Sequence, residues 1–436
     1  MLTPNGLSTC NSVTKKRFNL LRTLGNYQPL TGILGLATIV PLLLLLLPSI
    51  VRAQTYTNSI DITEGGTYSG SWESWNPEDP AVMIDTTEPV TLDGCNIRGN
   101  ADLIFTQEGA NVTVKNCKGY GYFSNIAGQP KGHFFKSWQA KHVNIHNNYL
   151  EGTAGIKVIG YTGNRSTDQV MIRFNIAKNI DGKVALGSNG QPSYERVTDA
   201  AKFAQFVQLN GVQNVPNVEI SWNQVINEPW QSHTEDVISI YNSSGTSTSP
   251  IRIAANYIKG SYAARPENQE FTGGGIMCGD GEAGNPANAS AYIDCDWNQV
   301  VNASNYGMAI AQGHDIIMRN NRIVSSGLIG DTRIYQSWVG AYIWNYYEDE
   351  NTEEVEVPWY NNGAQNNYIG GTFNNTGGGV IERKDWIFDD ADESLTYGNI
   401  HWEPEGGAIT SAMEDEEWNV WQSKLSTHGI QIGPLP

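Results

Sequence analysis

The feature that most constrains the fold of this chain is a short pattern repeated along most of its length. Apolar residues recur at positions i, i+2 and i+7, and most copies have asparagine at i+5. Two clear copies, beginning at Val218 and Ile251, flank a strand-like run at residues 235–241 that opens with two carboxylates. Nine copies can be counted, and they begin at Val90, Val112, Val143, Val170, Val218, Ile251, Ile293, Ile316 and Asn362.

The repeats predict a solenoid built from short strands. Successive copies begin 22 to 48 residues apart, so one unit of about 22 residues accepts insertions of different length. The apolar runs are short, rich in β-branched residues and bounded by glycine and asparagine, which favours strands over helices. Strands that pair in parallel with their equivalents one turn away, at about 4.8 Å, form such a solenoid. We therefore predict an all-β fold, a single-stranded right-handed parallel β-helix of about nine turns.

The asparagine at i+5 has a structural interpretation. Asparagine tolerates a left-handed bend between strands, and its amide can hydrogen-bond to the asparagines of the turns above and below. A buried ladder is the predicted place of these side chains. Six residues are assigned to it rather than to catalysis: Asn148, Asn175, Asn223, Asn256, Asn298 and Asn321.

Residues 1–53 are predicted to be a signal peptide, with an N-terminal membrane anchor as the alternative. Basic residues 15–17 precede an apolar run at residues 31–50, and small residues follow it, which is the order of a secretory signal. The run is also close to the roughly 20 residues that span a bilayer. Pro41 and Pro48 favour cleavage over a stable span. In either case the rest of the chain is exported, so we predict a secreted or cell-surface protein.

The remaining chain divides into a β-helix at residues 54–400 and a C-terminal capping segment at residues 401–436. Within the latter, Ser411 and Glu414 have the spacing of a capping box that starts a helix. Trp418, Trp421 and Leu425 then fall on one helical face. We expect this short helix to cover an open end of the solenoid.

The charge of the exported part excludes some partners. Five of the 27 basic residues lie in the first 53, which contain no acidic residue, so residues 54–436 carry 22 basic and 45 acidic residues, a net charge of −23. Such a surface repels nucleic acid and anionic membranes. We expect a polysaccharide partner, no nucleic acid, membrane contact only through an uncleaved N-terminal segment, and a monomer. No cofactor is indicated with certainty, but the acidic loops at residues 348–356 and 389–393 are candidates for Ca²⁺, with solvated loops that bind no ion as the alternative.

The mature chain keeps four cysteines in an oxidising setting once Cys10 leaves with the signal. Cys95 and Cys117 occupy the i+5 position of successive copies, which places their Cα atoms about 4.8 Å apart and predicts a disulfide. Cys278 and Cys295 both fall at inward positions of one turn. The sequence leaves open whether these two pair or remain buried thiols.

Two rows of polar residues flank the second strand series and are the candidate sites. The first row contains Glu235 and Asp236, with His233 nearby and the outward-facing Lys157 on an earlier turn. These four are the predicted catalytic residues, because paired carboxylates can divide the acid and base roles of glycosidic cleavage. The alternative interpretation of the two carboxylates is a solvated turn that caps the start of the strand.

The second row follows the last inward residue of each strand. About six residues separate the rows, or roughly 20 Å, so we expect Asp236 and Asp280 to belong to different centres. Metal ligands are not specified by the sequence. The predicted substrate contacts are Gln208, Asn210, Tyr241, Asn242, Asp280, Gln312, His314 and Trp344.

Aromatic residues are a further signal for carbohydrate, because sugar rings stack on such side chains. The alternative is that insertions pack these side chains against the wall of the coil. The residues concerned are Trp222, Trp230, Trp297, Trp338, Tyr342, Trp344, Tyr346 and Tyr347.

On these residues the chain resembles the pectate-lyase-like superfamily of right-handed parallel β-helix proteins, and within it exported bacterial proteins of unknown function. The resemblance covers most of residues 60–436. It is most specific at residues 66–70, 223–229, 235–236, 243–246, 273–281 and 306–310. Members of the superfamily include polysaccharide lyases, hydrolases of the polygalacturonase type and non-catalytic surface proteins.

The resemblance implies two kinds of chemistry, and the chain departs from one of them. The hydrolases place paired aspartates before one strand and Gly-His-Gly before the next. Glu235 and Asp236 resemble the first segment, but Gly274 stands where the histidine would be, and no aspartate lies near Gln205 where a third carboxylate belongs. The lyases need a cationic base, for which Lys157 and Arg173 are candidates.

The predicted function is that of a glycan-cleaving enzyme, either a lyase or a hydrolase. A long shallow face with polar rows and aromatic residues suits a polymer better than a small substrate. The alternative is a non-catalytic protein of the cell surface or matrix that binds carbohydrate.

Overall fold

The computed structural model describes residues 54–436 apart from residues 165, 188, 200–201, 269–270, 283–284, 331–332, 336, 348–356, 376–379 and 404–406. The segment predicted to be a signal or anchor and the acidic loop at 348–356 lie outside the described residues. The described chain folds as the predicted parallel β-helix. Strands recur in a fixed order in each turn, and equivalent strands of successive turns pair in parallel.

Three long parallel sheets form the coil. The first sheet contains Thr57–Asn58, Ser71–Ser74, Asn96–Gly99, Lys118–Gly121, Tyr149–Glu151, Ile176–Lys178, Gln224–Ile226, Tyr257–Ser261, Gln299–Ala303, Arg322–Val324, Tyr368–Gly370 and Ile400–His401. The second sheet contains Ile60–Ile62, Val82–Ile84, Ile104–Thr106, Phe135–Trp138, Gly155–Ile159, Gln205–Asn210, Asp236–Tyr241, Gly274–Asp280, Tyr306–Ile310, Val339–Ile343 and Trp386–Ile387. The third sheet contains Gly66–Tyr68, Pro89–Asp93, Asn111–Lys115, His142–His146, Val170–Arg173, Val218–Ser221, Ile251–Ala254, Ala291–Asp296, His314–Arg319 and Gly363–Gln365.

Shorter elements decorate the coil. Two antiparallel pairs join Leu328–Ile329 to Arg333–Ile334 and Thr372–Asn375 to Val380–Arg383. Single 3₁₀ turns lie at Pro286–Asn288 and Glu393–Leu395, and an α-helix spans Ser411–His428. None of the helices in the described residues is long and apolar enough to cross a bilayer.

The nine copies of the pattern correspond to the last nine strands of the third sheet, and the structure adds one earlier strand at Gly66–Tyr68. The first apolar position of each copy points into the coil. Val112, Val143 and Val170, for example, stack in register on successive turns and are fully buried. The predicted inward face of the repeat is therefore the hydrophobic core.

The predicted asparagine ladder forms and is longer than expected. Asn148 Nδ2 donates to Asn175 Oδ1 over 3.0 Å, and the same contact recurs on the following turns as far as Asn367 and Asn399. Each ladder amide from Asn148 to Asn367 also donates to a main-chain carbonyl, and its oxygen accepts a main-chain N–H of the preceding turn. The buried amides are thus satisfied, as a low-dielectric interior requires.

The left-handed bend belongs to the residue before the ladder asparagine, not to the asparagine itself as predicted. Asn147, Phe174, Trp222 and Trp297 have φ between 55° and 59°. Such a residue turns the chain between two strands, so the next side chain points into the coil, where it can stack. Positive φ is unfavourable for these side chains, and the ladder hydrogen bonds on each turn hold the bend in place.

The disulfide predicted for Cys95 and Cys117 is wrong, because both residues are separate buried thiols, whereas Cys278 and Cys295 are bonded. Cys117 Sγ accepts the main-chain N–H of Cys95 at 3.3 Å, and the N–H of Cys117 donates to Asn148 Oδ1. The Cys117 thiol therefore takes the place of a ladder amide. The Cys117 thiol donates to the main-chain oxygen of Lys115 at 3.1 Å and lies 3.6 Å from that of Leu92 on the preceding turn.

The helix Ser411–His428 lies on the outer face of the first sheet and does not cover an end of the solenoid as predicted. Its N-cap is Thr410, whose side chain accepts the N–H of Met413. Glu414 is buried and binds Asn302 and the N–H of Ser326 instead of completing a capping box. The reason for this placement is an apolar outer patch on the first sheet, which needs a cover.

The helix contacts several turns of the coil in succession. Trp421 is fully buried, stacks on Tyr257 at 5.7 Å between ring centroids and donates to Gln224 Oε1 at 2.9 Å. Glu417 accepts hydrogen bonds from Arg322, and the two side chains form a salt bridge with 2.6 Å between Arg322 Nη2 and Glu417 Oε1. The tail then runs back along the sheet until Leu435 N donates to Asn116 Oδ1. We call residues 411–436 the C-terminal strap.

Candidate functional site

A cavity of about 520 Å³ opens on the outer face of the second sheet, and we call it the acidic cavity. Four consecutive strands of this sheet contribute to it, Asp236–Tyr241, Gly274–Asp280, Tyr306–Ile310 and Val339–Ile343. Its lining consists of Arg196, Glu235, Asp236, Phe271, Met277, Asp280, Asn305, Tyr306, Ala311, Trp338, Tyr342, Trp344, Tyr346 and Tyr347.

Glu235 and Asp236 lie at the start of one of these strands, and neighbouring turns hold both side chains. Gln205, the first residue of the equivalent strand one turn earlier, donates its Nε2 to Glu235 Oε2 at 2.6 Å. Asp236 Oδ1 accepts a hydrogen bond from the hydroxyl of Tyr306, two turns later. Asp236 is buried, whereas Glu235 is half-buried. The carboxylate that the cavity exposes more is therefore that of Glu235.

Tyr306 reaches Asp236 across a glycine. Asp236 pairs in register with Gly274, on the strand between the two residues. A Cβ atom at position 274 would lie 2.2 Å from Asp236 Oδ1 and 2.6 Å from the Tyr306 hydroxyl. The glycine that stands where the resembling hydrolases have histidine is thus required here, because a side chain would separate the phenol from the carboxylate.

Asp280 closes the other end of the acidic cavity. Its Oδ1 accepts hydrogen bonds from the N–H of Gly281 at 2.8 Å and from the Tyr347 hydroxyl at 3.1 Å. Asp280 pairs in register with Tyr241, as the two-row interpretation requires. The rows nevertheless open into one cavity, so the expected separation of Asp236 and Asp280 into two centres does not hold. The pairing register shifts between the two rows, at Ser239–Tyr241 and at Met277–Gly279, so the strands are irregular where the cavity opens.

The environment separates the pKa values of the three carboxyl groups. Burial raises the pKa of Glu235 to about 7, and the charge of Asp280 adds to that effect. Burial and then the adjacent Glu235 raise the pKa of Asp236 well above its ordinary value. Burial also raises the pKa of Asp280, but the hydrogen bonds from Gly281 and Tyr347 oppose this. Asp280 acts on Glu235 as a negative charge, and Glu235 keeps its proton to near neutral pH.

One side of the acidic cavity is a chain of aromatic rings in mutual contact. Tyr306 packs against Tyr342 with centroids 5.1 Å apart, Tyr342 lies 5.1 Å from Trp338, and Trp338 lies 6.3 Å from Trp344. Tyr346 and Tyr347 continue the chain beyond Trp344. Trp344 and Tyr346 are 43% and 65% exposed, so their faces are available to a ligand.

The other aromatic residues predicted to mark a carbohydrate site lie elsewhere. Trp222 packs against Trp421 of the C-terminal strap, and Trp230 donates to Glu267. Trp297 is exposed at a bend of the coil. The packing interpretation thus applies to Trp222, whereas the five aromatic residues at positions 338–347 line the acidic cavity.

His233 and Lys157, the predicted partners of the two carboxylates, do not line the acidic cavity. His233 is buried beside Asp181, to which it is joined by a parallel bridge, and burial lowers its pKa to about 4. Its position two residues before Glu235 in the chain is misleading, because the ring is buried in the packing between turns. Lys157 faces outward on the second sheet, two turns before Asp236.

The residues predicted as substrate contacts fall into three groups. Asp280 and Trp344 line the acidic cavity. The outward row of the second sheet carries Gln208 beside Lys157, and Asn210 beside Tyr241. The remaining three have structural partners: Asn242 and Gln312 bind Glu282 and Ser290 at a turn, and His314 pairs with Asp315 on the third sheet.

Sequence reasoning missed the part played by Tyr306 and by Gln205. The contacts of both residues depend on the register of the strands, because each residue aligns with Asp236 from a different turn. Arg196 and Phe271 were missed for another reason. They belong to insertions, whose path over the sheet no repeat predicts.

No group of three or more histidine, cysteine, aspartate or glutamate side chains in the described residues is arranged to hold a metal ion. In the acidic loop at 389–393, Asp392 caps the turn Glu393–Leu395 by accepting the N–H of Ser394. Ca²⁺ binding at this loop is predicted from its negative charge alone and stays a prediction.

No protein-family model and no curated protein sequence matches the chain. Among solved structures it is similar to a PL6 alginate lyase complexed with a trisaccharide, at 12% identity and a TM-score of 0.29, covering 79% of this chain and 90% of that one. It is also similar to a mannuronic acid specific polysaccharide family 6 lyase from the human gut microbiota, at 11% identity and a TM-score of 0.31, covering 87% and 90%. A third similar structure is an alginate lyase complex at 14% identity and a TM-score of 0.30, covering 83% and 82%.

Proposed function

We propose that this protein is a glycan-cleaving enzyme that hydrolyses glycosidic bonds in the acidic cavity. The observation that carries the proposal is that two carboxyl groups line one cavity, and one of them, Glu235, keeps its proton to about pH 7 beside the charge of Asp280. Two carboxyl groups whose environments separate their pKa values supply the acid and the base of glycoside hydrolysis.

In the proposed reaction Glu235 is the general acid and Asp280 the general base. Glu235 transfers its proton to the glycosidic oxygen as the bond from that oxygen to the anomeric carbon breaks. Asp280 takes a proton from the water whose oxygen bonds to the anomeric carbon. Asp236, held by Tyr306, is a positioning residue beside Glu235. The exposed rings of Trp344 and Tyr346 stack against sugars on either side of the bond.

The test is the pair of variants Glu235→Gln and Asp280→Asn, with Glu219→Gln as the matched control. Glu219 is a carboxylate on the third sheet that hydrogen-bonds to Ser221, far from the acidic cavity. Loss of a general acid or base lowers turnover by roughly 10²- to 10⁴-fold. We expect this loss in kcat for both variants, with oligosaccharide binding retained, and no change for Glu219→Gln.

The substrate is identified by incubating the mature protein with a panel of polysaccharides and measuring new reducing ends. Release of reducing ends that depends on Glu235 supports hydrolysis. Retained binding without any cleavage across the panel would instead support a non-catalytic carbohydrate-binding protein of the cell surface or matrix.

A lyase is the second candidate, and one observation favours it. Burial, together with the neighbouring Lys136, lowers the pKa of Lys157, and a neutral lysine can act as a base toward a uronate. Elimination leaves an unsaturated sugar with a characteristic ultraviolet absorbance, whereas hydrolysis does not. Absorbance of the products therefore separates the two reactions in the same incubation.

The predicted signal segment and the negative charge of residues 54–436 indicate where the protein acts and with which partners. We propose that the protein acts outside the cell or at its surface as a monomer. Ca²⁺ at the loop 389–393 belongs to the same proposal, and repeating the panel with a chelator tests whether cleavage depends on it.

A further inference from the structure

We propose that a second site on the same sheet, built around Lys157 and Lys136, binds the carboxylate of an acidic sugar in the glycan chain that is cleaved in the acidic cavity. This inference rests on the proposed function and adds the substrate class. The glycan would combine an uncharged unit at the cleaved bond with an acidic unit farther along the chain.

Register places the two lysines in line with the acidic cavity. Lys136 pairs with Lys157, Lys157 with Gln208, Gln208 with Ser239, and Ser239 with Met277, which lines the cavity. All these side chains occupy one outward row of the second sheet. Three strand steps separate Lys157 from Met277, or about 14 Å at the spacing of parallel strands. A short oligosaccharide lying along the coil axis reaches both places.

Lys157 carries a charge without a partner. Among the described residues no carboxylate lies within ion-pair distance of its ammonium group, although the residue is half-buried, and burial lowers its pKa. Lys136, on the adjacent turn, shares Asp102 with His133, with its Nζ 3.5 Å from Asp102 Oδ2. Two lysines therefore stand side by side, and the one carboxylate in ion-pair contact, that of Asp102, touches Lys136 alone, in a protein whose surface is otherwise strongly acidic. A half-buried cation in this setting favours an anionic ligand.

Two neutral polar atoms nearby also lack partners. Gln208 is only 8% exposed, and its Oε1 is buried with no hydrogen-bond donor in the described residues. His133 Nε2 is likewise buried and unpartnered there, while Nδ1 of the same ring contacts Asp102 at 2.8 Å. Buried polar atoms without partners are unusual in native structures and are often explained by a missing ligand or water.

The unpaired atoms match the chemistry of a sugar acid. Its carboxylate suits Lys157 and Lys136, and its ring hydroxyls can donate to Gln208 Oε1 and interact with His133 Nε2. A second cavity, of about 370 Å³ and lined by His133, Lys136 and Phe105 among others, adjoins this row and leaves room for a ring. An inorganic anion would satisfy the lysines but not the amide oxygen. For this reason we assign a hexuronate rather than a free anion.

The charges of the two sites make the direction of the glycan chain specific. The described lining of the acidic cavity contains one cation, Arg196, and three carboxyl groups, of which Glu235 keeps its proton to about pH 7. The lysine site instead carries two cations and one nearby carboxylate, that of Asp102. The acidic sugar therefore binds more favourably at the lysine site, at a fixed distance from the bond that breaks.

The experiment measures binding of methyl glucuronide and of methyl glucoside by NMR titration, with Lys157→Ala, Lys136→Ala and the matched control Lys178→Ala. Lys178 lies on the first sheet, near Glu151 and Glu228. We expect the native protein to bind the glucuronide more tightly than the glucoside, and each alanine variant at 157 or 136 to weaken glucuronide binding by about tenfold. Lys178→Ala should bind like the native protein, and added salt should weaken glucuronide binding.

Equal affinity for the two sugars, no measurable glucuronide binding, or binding unaffected by Lys157→Ala would each overturn the inference. Repeating the titration with Glu235→Gln separates this result from the proposed function, because that substitution removes the proposed acid and leaves both lysines in place. Glucuronide binding without any glycan cleavage would reject hydrolysis alone. An unsaturated cleavage product that disappears in Lys157→Ala would overturn the binding role, because it would make Lys157 a base.

Discussion

Glu235 illustrates how packing determines the chemistry of a single side chain. An exposed glutamate is ionised at neutral pH, but here the surrounding turns remove water from the carboxyl group, and Asp280 places a negative charge in the same cavity. Gln205 and Lys157 oppose the resulting shift without cancelling it. A protonated carboxyl group at neutral pH is a proton donor, which is the role that we propose for it.

We predict that kcat/KM falls as pH rises through about 7, because the pKa of Glu235 is raised to that value and only the protonated form acts as an acid. The fall approaches tenfold per pH unit for a single ionisation. Lys157 lowers the pKa of Glu235, so Lys157→Ala should move the alkaline limb to higher pH. A pH–rate profile on an uncharged oligosaccharide measures both effects.

Lys178→Ala, which removes a lysine from a different sheet, is the control and should leave the limb in place. A profile that stays flat between pH 6 and 9 would argue against Glu235 as the acid. A limb that Lys157→Ala does not move would mean that Lys157 exerts no field at the cavity.

The strand and its following turn form the element that the chain repeats, and the asparagine ladder ties the repeats together. Asn256 shows the arrangement. Its Nδ2 donates to Asn298 Oδ1 and to Ile220 O, and its Oδ1 accepts from the Nδ2 and main-chain N–H of Asn223. Because each amide bonds to both neighbouring turns, the ladder fixes the register of the sheets as well as the bend.

We predict that Asn256→Ala lowers the free energy of unfolding by roughly 3 kcal/mol or more, because alanine leaves several buried donors and acceptors without partners. Asn288→Ala is the control, since Asn288 is exposed on a 3₁₀ turn, and it should change stability by less than about 0.5 kcal/mol. Chemical denaturation followed by circular dichroism measures both. Equal effects of the two substitutions would show that the ladder contributes no special stability.

At the scale of the whole molecule, the outer faces of the first and second sheets have different roles. The outer face of the first sheet is covered by the C-terminal strap, which runs from the turn of Arg322 back to that of Asn116. The outer face of the second sheet carries the acidic cavity and the lysine site. The strap thus fastens successive turns to one another on a face that the proposed glycan does not use.

We predict that Trp421→Ala lowers the free energy of unfolding by about 3 to 5 kcal/mol, as expected for removing a large buried aromatic side chain. Because the strap and the acidic cavity lie on different sheets, kcat/KM below the unfolding temperature should not change. Trp418→Ala is the control, since Trp418 is 37% exposed and its loss should be milder. A large drop in kcat/KM for the folded Trp421→Ala protein would show that the strap influences the cavity.

The amino-acid sequence by itself determined the parts of this protein that depend on local pattern repeated many times. Alternating apolar residues followed by asparagine at a constant offset specify a strand, a bend and a ladder position. Units repeated nine times can bury their apolar faces by stacking as a parallel coil. The coil, its hydrophobic core and the ladder asparagines from Asn148 to Asn321 were therefore predictable. Glu235 and Asp236 were also visible, because two carboxylates open a strand of the series.

Tertiary structure alone decided the features that depend on packing between distant segments. Stacking of the turns brings Asp280 into the same cavity as Glu235, packing between turns buries His233 away from it, and the Cys117 sulfur accepts a main-chain N–H of the preceding turn. The apolar patch on the first sheet, not the end of the coil, receives the helix Ser411–His428. In each case the outcome depends on the side chains and backbone that meet one or more turns away. Sequence spacing carries no information about such neighbours until the turns are stacked.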